Sequence, residues 1–483
     1  MALKEGNHGV IAIHGVEAEE TKQGELLANL TNSLADTLLE SPAGEEPNQI
    51  SPTIRREANF TDDPARVILK ITAPDKSEAT WDCREAFWAE SFLPPRASSV
   101  LKWTIKLWAK QAGRIKEALL RDPVNQTNYR PPPPSGTSAE EPVYKPRSLI
   151  KTIYRLELAV IVILFPILSL LILPILYIAW PLYWLPQFGH VAKVIHKVLH
   201  SADAFMSDVL GDAKRLVEHG VWAASARGIL ERIIIDMLED DKIADITIVA
   251  HSAGCVVSYD ALRKGGPVAE AVGEREKAGK SGKKLTLITV GSALKLVMGV
   301  ARESNLYART HFKDPIDERI TGNGPKAKLS AEKLREKFFW LDIRARLDPL
   351  TFLQMDAQLA EHAGVNAAQW KTREVINLDN ILRDHTYYWM NRDLVIPRIA
   401  RCINGGEYPW EEAGVTEKKL RHHYDRIAYL GLLRLMMLGI IGAGAIMWAL
   451  IGLDPLAWVP PLVIAAGIGM YQALRSWKFG EIS

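Results

Sequence analysis

Apolar residues in this chain fall into two patterns: short runs bounded by turn residues, and long blocks without charge. Val10 to Ile13, between Gly9 and His14-Gly15, is a short run of the kind that forms a buried parallel strand. Residues 17–40 then carry helical spacing. The stretches 53–60 and 66–73 alternate as two arms of a hairpin, and Thr80 to Ala89 predicts a further strand. Helical spacing returns over 203–239. Asp245 to Ala250, Leu285 to Val290, Phe338 to Ile343 and Arg373 to Leu378 each predict a strand. Strands alternating with helices in this way predict an α/β protein, a mostly parallel sheet with helices on both faces.

Three blocks do not belong to that pattern. Leu158 to Gly189 holds 32 residues without a charge, interrupted by Pro166, Pro174, Pro181 and Pro186. Leu435 to Leu453 is a charge-free run of 19, and Pro455 to Leu474 one of 20. A transmembrane helix needs ~20 apolar residues, so the last two predict a membrane-embedded helical hairpin turning at Asp454-Pro455. The helix expected over 99–121 has an apolar stripe (Leu101, Ile105, Trp108, Ala112, Ile115, Leu119) opposite Lys102, Lys106, Lys110 and Arg114. That face suits an anionic bilayer and equally suits a core-packing helix with a solvated side. Seven prolines in 122–147 predict an extended linker. The expected organisation is 1–121 as the first part of the α/β domain, 122–147 as linker and 148–189 as membrane-embedded insertion. Residues 190–425 complete the domain, and 426–483 form the terminal hairpin.

Composition narrows the classes. Fifty-nine Lys and Arg against 57 Asp and Glu leave a formal charge of +2, with none of the basic excess of a nucleic-acid-binding protein. Cys83, Cys255 and Cys402 are the three cysteines. With no CxxC they provide neither a disulfide framework nor a structural zinc site. The first residues, Met1 to Gly6, lack the apolar core of a secretory signal, so the Asn29, Asn59 and Asn125 N-x-T sequences are not expected to matter. The sequence Gly273 to Ser281 has the wrong spacing and follows no strand, so it is not a phosphate loop. His422-His423 lacks the partner spacing of a zinc site. No metal or nucleotide cofactor is implied.

The chemistry concentrates at Ala250-His251-Ser252-Ala253-Gly254, directly behind an apolar strand and ahead of a helix carrying Val256, Val257, Tyr259 and Leu262. A serine on such a turn is held in strained geometry by small neighbours, with its hydroxyl raised above the sheet edge. Ala250 stands where the usual G-x-S-x-G pattern has its first Gly. Here the chain resembles the α/β-hydrolase superfamily, over roughly 8–120 and 190–400.

The resemblance implies a chain order of Ser, then acid, then His, the last two just past strand ends. Ser252, Asp348 and His385 fit that order. Asp342, inside a strand, is the rival acid, and His251 is expected as elbow scaffolding with its side chain leaving in another direction. The resemblance also implies an oxyanion hole from the Ala253 N–H and a second N–H after the first strand, on Gly15 or Val16. The family's two leading strands are missing ahead of Val10, which leaves the sheet order at that edge open.

The expected function is therefore that of a membrane-anchored serine hydrolase of carboxylic esters. Its expected partners are the bilayer and a lipid or other hydrophobic ester. The alternatives are a catalytically silent scaffold or a signal-activated effector acting on the bilayer. An oligomer is compatible with the sequence. Lys145, Arg147, Lys151 and Arg155 precede the 158–189 block, Lys193 and Lys197 follow it, and basic residues bracket the terminal hairpin. This distribution puts the catalytic domain on the cytoplasmic side. Because catalytic groups lie at strand carboxyl ends, the 158–189 block is expected beside Ser252 as an acyl-chain path.

Overall fold

In the computed structural model of the chain, the residues described are 4–15, 23–39, 52–73, 75–88 and 214–301 apart from 215, 218 and 281, then 314–322 and 337–404 apart from 346–347, 349, 352–356, 367–368, 376, 378–383 and 393. The expected helix at 99–121, the proline-rich linker and all three charge-free blocks lie outside them. Among the described residues no helix is long and apolar enough to cross a membrane.

The elements run β1 (Gly6–Ile13), α1 (Glu25–Leu39), β2 (Thr53–Asn59), β3 (Arg66–Thr72), β4 (Glu78–Ala86), α2 (Gly220–Glu239), β5 (Ile243–His251), α3 (Gly254–Ala261), α4 (Pro267–Lys277), β6 (Lys284–Val290) and α5 (Leu294–Ala301). There follow α6 (Glu318–Thr321), β7 (Phe338–Ala345), α7 (Ala357–His362), β8 (Trp370–Val375) and α8 (Ile396–Ile403). Eight strands form one sheet in the order β2-β3-β4-β1-β5-β6-β7-β8. From β4 to β8 every pairing is parallel, and β3 runs antiparallel to both β2 and β4.

Position in the sheet explains the sequence of each strand. The run Ile246 to Ala250 of β5, and Val10 to Ile13 of β1, are buried on both faces, so they read as continuous apolar runs. β3 is buried on alternate residues, Val67, Leu69 and Ile71, which gives it a clean period of two. β2 at the edge is mostly exposed and carries Arg55, Arg56 and Glu57, charges that discourage further strand pairing.

Two cores flank the sheet. On one face Ile11, Ile13, Ile246, Ile248 and Trp340 meet α2 and α3. On the other, Val10, Ala12, Val249 and Ile343 meet α1 and α8. The stripe Leu26, Leu27, Leu30, Leu34 and Leu38 gives α1 a single apolar face.

Two sequence expectations are corrected, and one open point is filled. The helix over 17–40 is seen from Glu25, after Gly24 at φ +87°; residues 16–22 are not among those described. The last strand is Trp370–Val375, three residues earlier than expected at each end. The register of β7 with β8, from Trp340↔Trp370 to Ala345↔Val375, places Trp370 in the sheet. The edge whose order the sequence left open is occupied by the hairpin of β2 and β3, placed after α1 and beside β4.

Candidate active site

All five strands of the parallel run from β1 to β8 deliver their carboxyl ends to one edge of the sheet, the edge where open α/β sheets place their chemistry. β1 ends at His14-Gly15, β5 at Ser252 and β6 at Gly291. Asp348 lies just past β7, and His385 lies beyond β8.

Ser252 has φ +53°, a left-handed conformation that non-glycine residues rarely adopt. Its neighbours hold it there. The Ser252 N–H donates to Val290 O at 3.0 Å, and the Ser252 carbonyl accepts the Cys255 N–H at 3.2 Å. Two glycines make the close approach to β1 feasible. A Cβ on Gly254 would lie 2.5 Å from His14 O, and one on Gly15 would lie 2.4 Å from Ser252 Cβ and 2.9 Å from its Oγ.

Ser252 Oγ lies 2.9 Å from His385 Nε2, and His385 Nδ1 lies 2.9 Å from Asp348 Oδ2. With Asp348 ionised, the imidazole proton sits on Nδ1, leaving Nε2 to accept the serine hydroxyl. Asp348 is fully buried. Burial works against its charge, but the charge and hydrogen bond of His385, with hydrogen bonds from Tyr388 and the Leu350 N–H, outweigh it. Together they hold Asp348 below the usual carboxylate range.

Asp342, the rival acid, points elsewhere. It accepts from Thr289 Oγ1 at 2.7 Å and from Thr372 Oγ1 at 3.4 Å, and burial raises its pKa. As cross-strand neighbours of Asp342 on β6 and β8, these threonines fix it inside the sheet.

His251 does not leave in another direction. Its ring stacks on that of His385 with centroids 4.8 Å apart, and its Nε2–H donates to His385 O at 2.8 Å. Trp389 and Tyr388 meet it edge-on at 5.5 and 5.9 Å. The residue before the serine therefore supports both the ring and the backbone of the histidine. Burial, with the charge of His385, lowers its pKa to about 3, so it is neutral in the working range.

His14 occupies the corresponding place at the end of β1. The Trp88 N–H donates to His14 Nε2 at 3.1 Å, which requires the proton on Nδ1, and that group donates to Gly15 O at 2.5 Å. The Trp88 indole stacks on the ring and donates to His14 O at 3.0 Å. Burial pushes the His14 pKa down to about 4. The Gly15 backbone is thus pinned beside Ser252 Oγ. Ala253 is the N-cap of α3, at a helix end where backbone N–H groups lack intrahelical acceptors. Val16 lies outside the described residues.

Sequence reasoning missed Tyr388 and Gly291. The Tyr388 hydroxyl donates to Asp348 Oδ2 at 2.7 Å. Gly291 has φ +60°, and a Cβ there would meet Tyr388, Asp348 and His385 at 2.8, 3.0 and 3.3 Å. The visible signals were the glycine ending β6 and the tyrosine three residues after the histidine. Among the described residues no group of three or more His, Cys, Asp or Glu is placed to hold a metal ion. No family model, curated protein or solved structure matches this chain.

Proposed function

We propose that this protein is a serine hydrolase of carboxylic esters, with Ser252 as nucleophile, His385 as general base and acid, and Asp348 as the buried carboxylate. One observation carries the reading: the unbroken row from Ser252 Oγ through His385 to Asp348, with both links at 2.9 Å. The positive φ of Ser252, on a strand-to-helix turn, supports the resemblance to the α/β-hydrolase superfamily, as does the sheet around it.

In this mechanism Ser252 Oγ attacks the ester carbonyl while its proton passes to His385 Nε2. Asp348 stabilises the resulting imidazolium through Nδ1. The carbonyl oxygen becomes an oxyanion facing the Ala253 N–H, at the positive end of α3, and a second N–H from the Gly15-Val16 segment. Each such donor contributes ~3 kcal/mol to the transition state. His385 then returns the proton to the leaving alkoxide, and a water activated by the same Nε2 releases the acyl group from Ser252.

The substrate class proposed is a lipid or other hydrophobic ester. Its support is the 32-residue charge-free block at 158–189 and the two at 435–474, which suit a protein working at a bilayer with its catalytic domain on the cytoplasmic side. A lipid reaching the serine from the bilayer avoids exposing its tails to water, at ~0.8 kcal/mol per CH₂.

A fluorophosphonate probe tests the reaction class. The wild type is expected to be labelled and Ser252→Ala not. A folded wild type that resists the probe would point to the silent scaffold instead. His385→Ala should lose nearly as much esterase activity as Ser252→Ala, and the double variant little more, since the residues act as a unit.

A further inference from the structure

His385 lies just ahead of a short 3-10 turn at Tyr387–Met390 that carries Tyr388. Both side chains end on one oxygen: His385 Nδ1 is 2.9 Å from Asp348 Oδ2, and the Tyr388 hydroxyl is 2.7 Å from the same atom. The other carboxylate oxygen accepts the Leu350 N–H at 2.9 Å.

The phenol is constrained as well. Its oxygen accepts the Ala345 N–H at 2.7 Å. A phenol has one proton to give, and with a backbone donor on its oxygen, that proton is directed at Asp348. Tyr388 is fully buried, and Gly291 leaves no room for a Cβ against its ring. Burial, with the adjacent Asp348 charge, raises the phenol well above its ordinary value, so it remains a donor throughout the working range.

We propose that Tyr388 is a positioning residue for the Ser252–His385–Asp348 row: it fixes the Asp348 carboxylate and sets how much negative charge that carboxylate presents to His385. The inference rests on the serine-hydrolase reading. Hydrogen bonds to a carboxylate stabilise its charged form and reduce what it offers to a neighbouring cation. With Tyr388 donating to Oδ2, the His385 imidazolium is stabilised less than it would be by a carboxylate without that bond.

The test is the rate of fluorophosphonate labelling of Ser252 as a function of pH, whose acid limb reports the ionisation of His385. Two variants are compared with the wild type: Tyr388→Phe, which removes the donor, and 3-fluorotyrosine placed at 388, whose more acidic phenol donates more strongly. The expected result is a midpoint moved up by about half a unit to one unit in Tyr388→Phe, and moved down in the fluorotyrosine protein. A residue that merely fills space would lower the rate at every pH and leave the midpoint in place; that result overturns the proposal, as does a shift of opposite sign. Tyr388→Phe leaves the Ala345 N–H without its acceptor, so if that variant does not fold, the direction of the fluorotyrosine shift decides. A wild type that fails to label at Ser252 removes the serine-hydrolase reading itself, a failure separate from an unmoved midpoint.

Discussion

Gly291 shows how tightly the row of side chains is held. It sits at φ +60°, and any Cβ there would press on Tyr388, Asp348 and His385 together. Gly291→Ala is therefore expected to lower kcat by about 10²-fold, the scale of a misplacement of about 1 Å in reacting groups, with KM little changed. Steady-state kinetics on a short-chain ester check this; wild-type kcat in the variant would show that the row is not sensitive to that contact. His251 gives a second prediction, on stability. Its folded pKa of about 3 lies below the ordinary 6.5, so as pH falls the unfolded chain takes up the proton first. Stability is thus lost from about pH 6.5 downward. His251→Phe removes that titration. Between pH 7 and pH 5 the wild type should lose about 2 kcal/mol more than the variant in urea unfolding, and equal losses would refute it. Of the site itself, the Ser252, Asp348 and His385 positions were legible because each follows a strand in the right order. The direction of the His251 ring was not, since it depends on where the chain returns 134 residues later to bring His385 O against it. Tyr388 was not legible either: that its hydroxyl meets the same Asp348 oxygen as His385 depends on how the chain folds after His385 and on where Asp348 lies, 40 residues before the tyrosine.

At the level of elements, the strands buried on both faces were easiest to read, because Val10 to Ile13 and Ile246 to Ala250 have no polar face to confuse the pattern. β8 was misplaced for the converse reason. Trp370-Lys371-Thr372-Arg373 mixes polar and aromatic residues, and the pairing that settles it, Trp340↔Trp370, is long-range and invisible in local sequence. The edge hairpin was visible as two alternating stretches, but its place beside β4 was not, since order in a sheet is decided by which faces and edges remain to be covered. β3 stands three strands from β5 in that order, so its core contribution should be separable from the chemistry. Leu69, fully buried in β3, is expected to cost about 2–5 kcal/mol when replaced by Ala. Where Leu69→Ala remains folded, its kcat should match the wild type. Urea unfolding and ester turnover on the same preparation test both halves, and a large drop in kcat at full folding would tie the hairpin to the site.

For the whole molecule, the sheet constrains the charge-free block that interrupts the domain. β1 and β5 are parallel neighbours, with Val10 opposite Thr247, and β4 pairs with β1 on its other side. The chain that leaves this sheet after Ala86 therefore rejoins the same sheet at Ile243, however residues 158–189 are arranged between them. If that block enters a bilayer, as the proposed function holds, the chain must emerge on the side from which it entered, and the number of crossings is even. Two full spans require ~40 residues, more than the 32 available without charge. A re-entrant, proline-broken hairpin would satisfy both constraints, provided protein covers its polar backbone groups. Cysteines placed at Lys151 and at Lys193 bracket the block. If the basic flanks lie on the cytoplasmic side, as proposed, both should resist a membrane-impermeant maleimide in intact cells and react after permeabilisation. Reaction at one position with protection at the other would require an odd number of crossings and would overturn the even-crossing argument drawn from a single sheet containing β4 and β5; reaction at both positions in intact cells would overturn the proposed cytoplasmic placement.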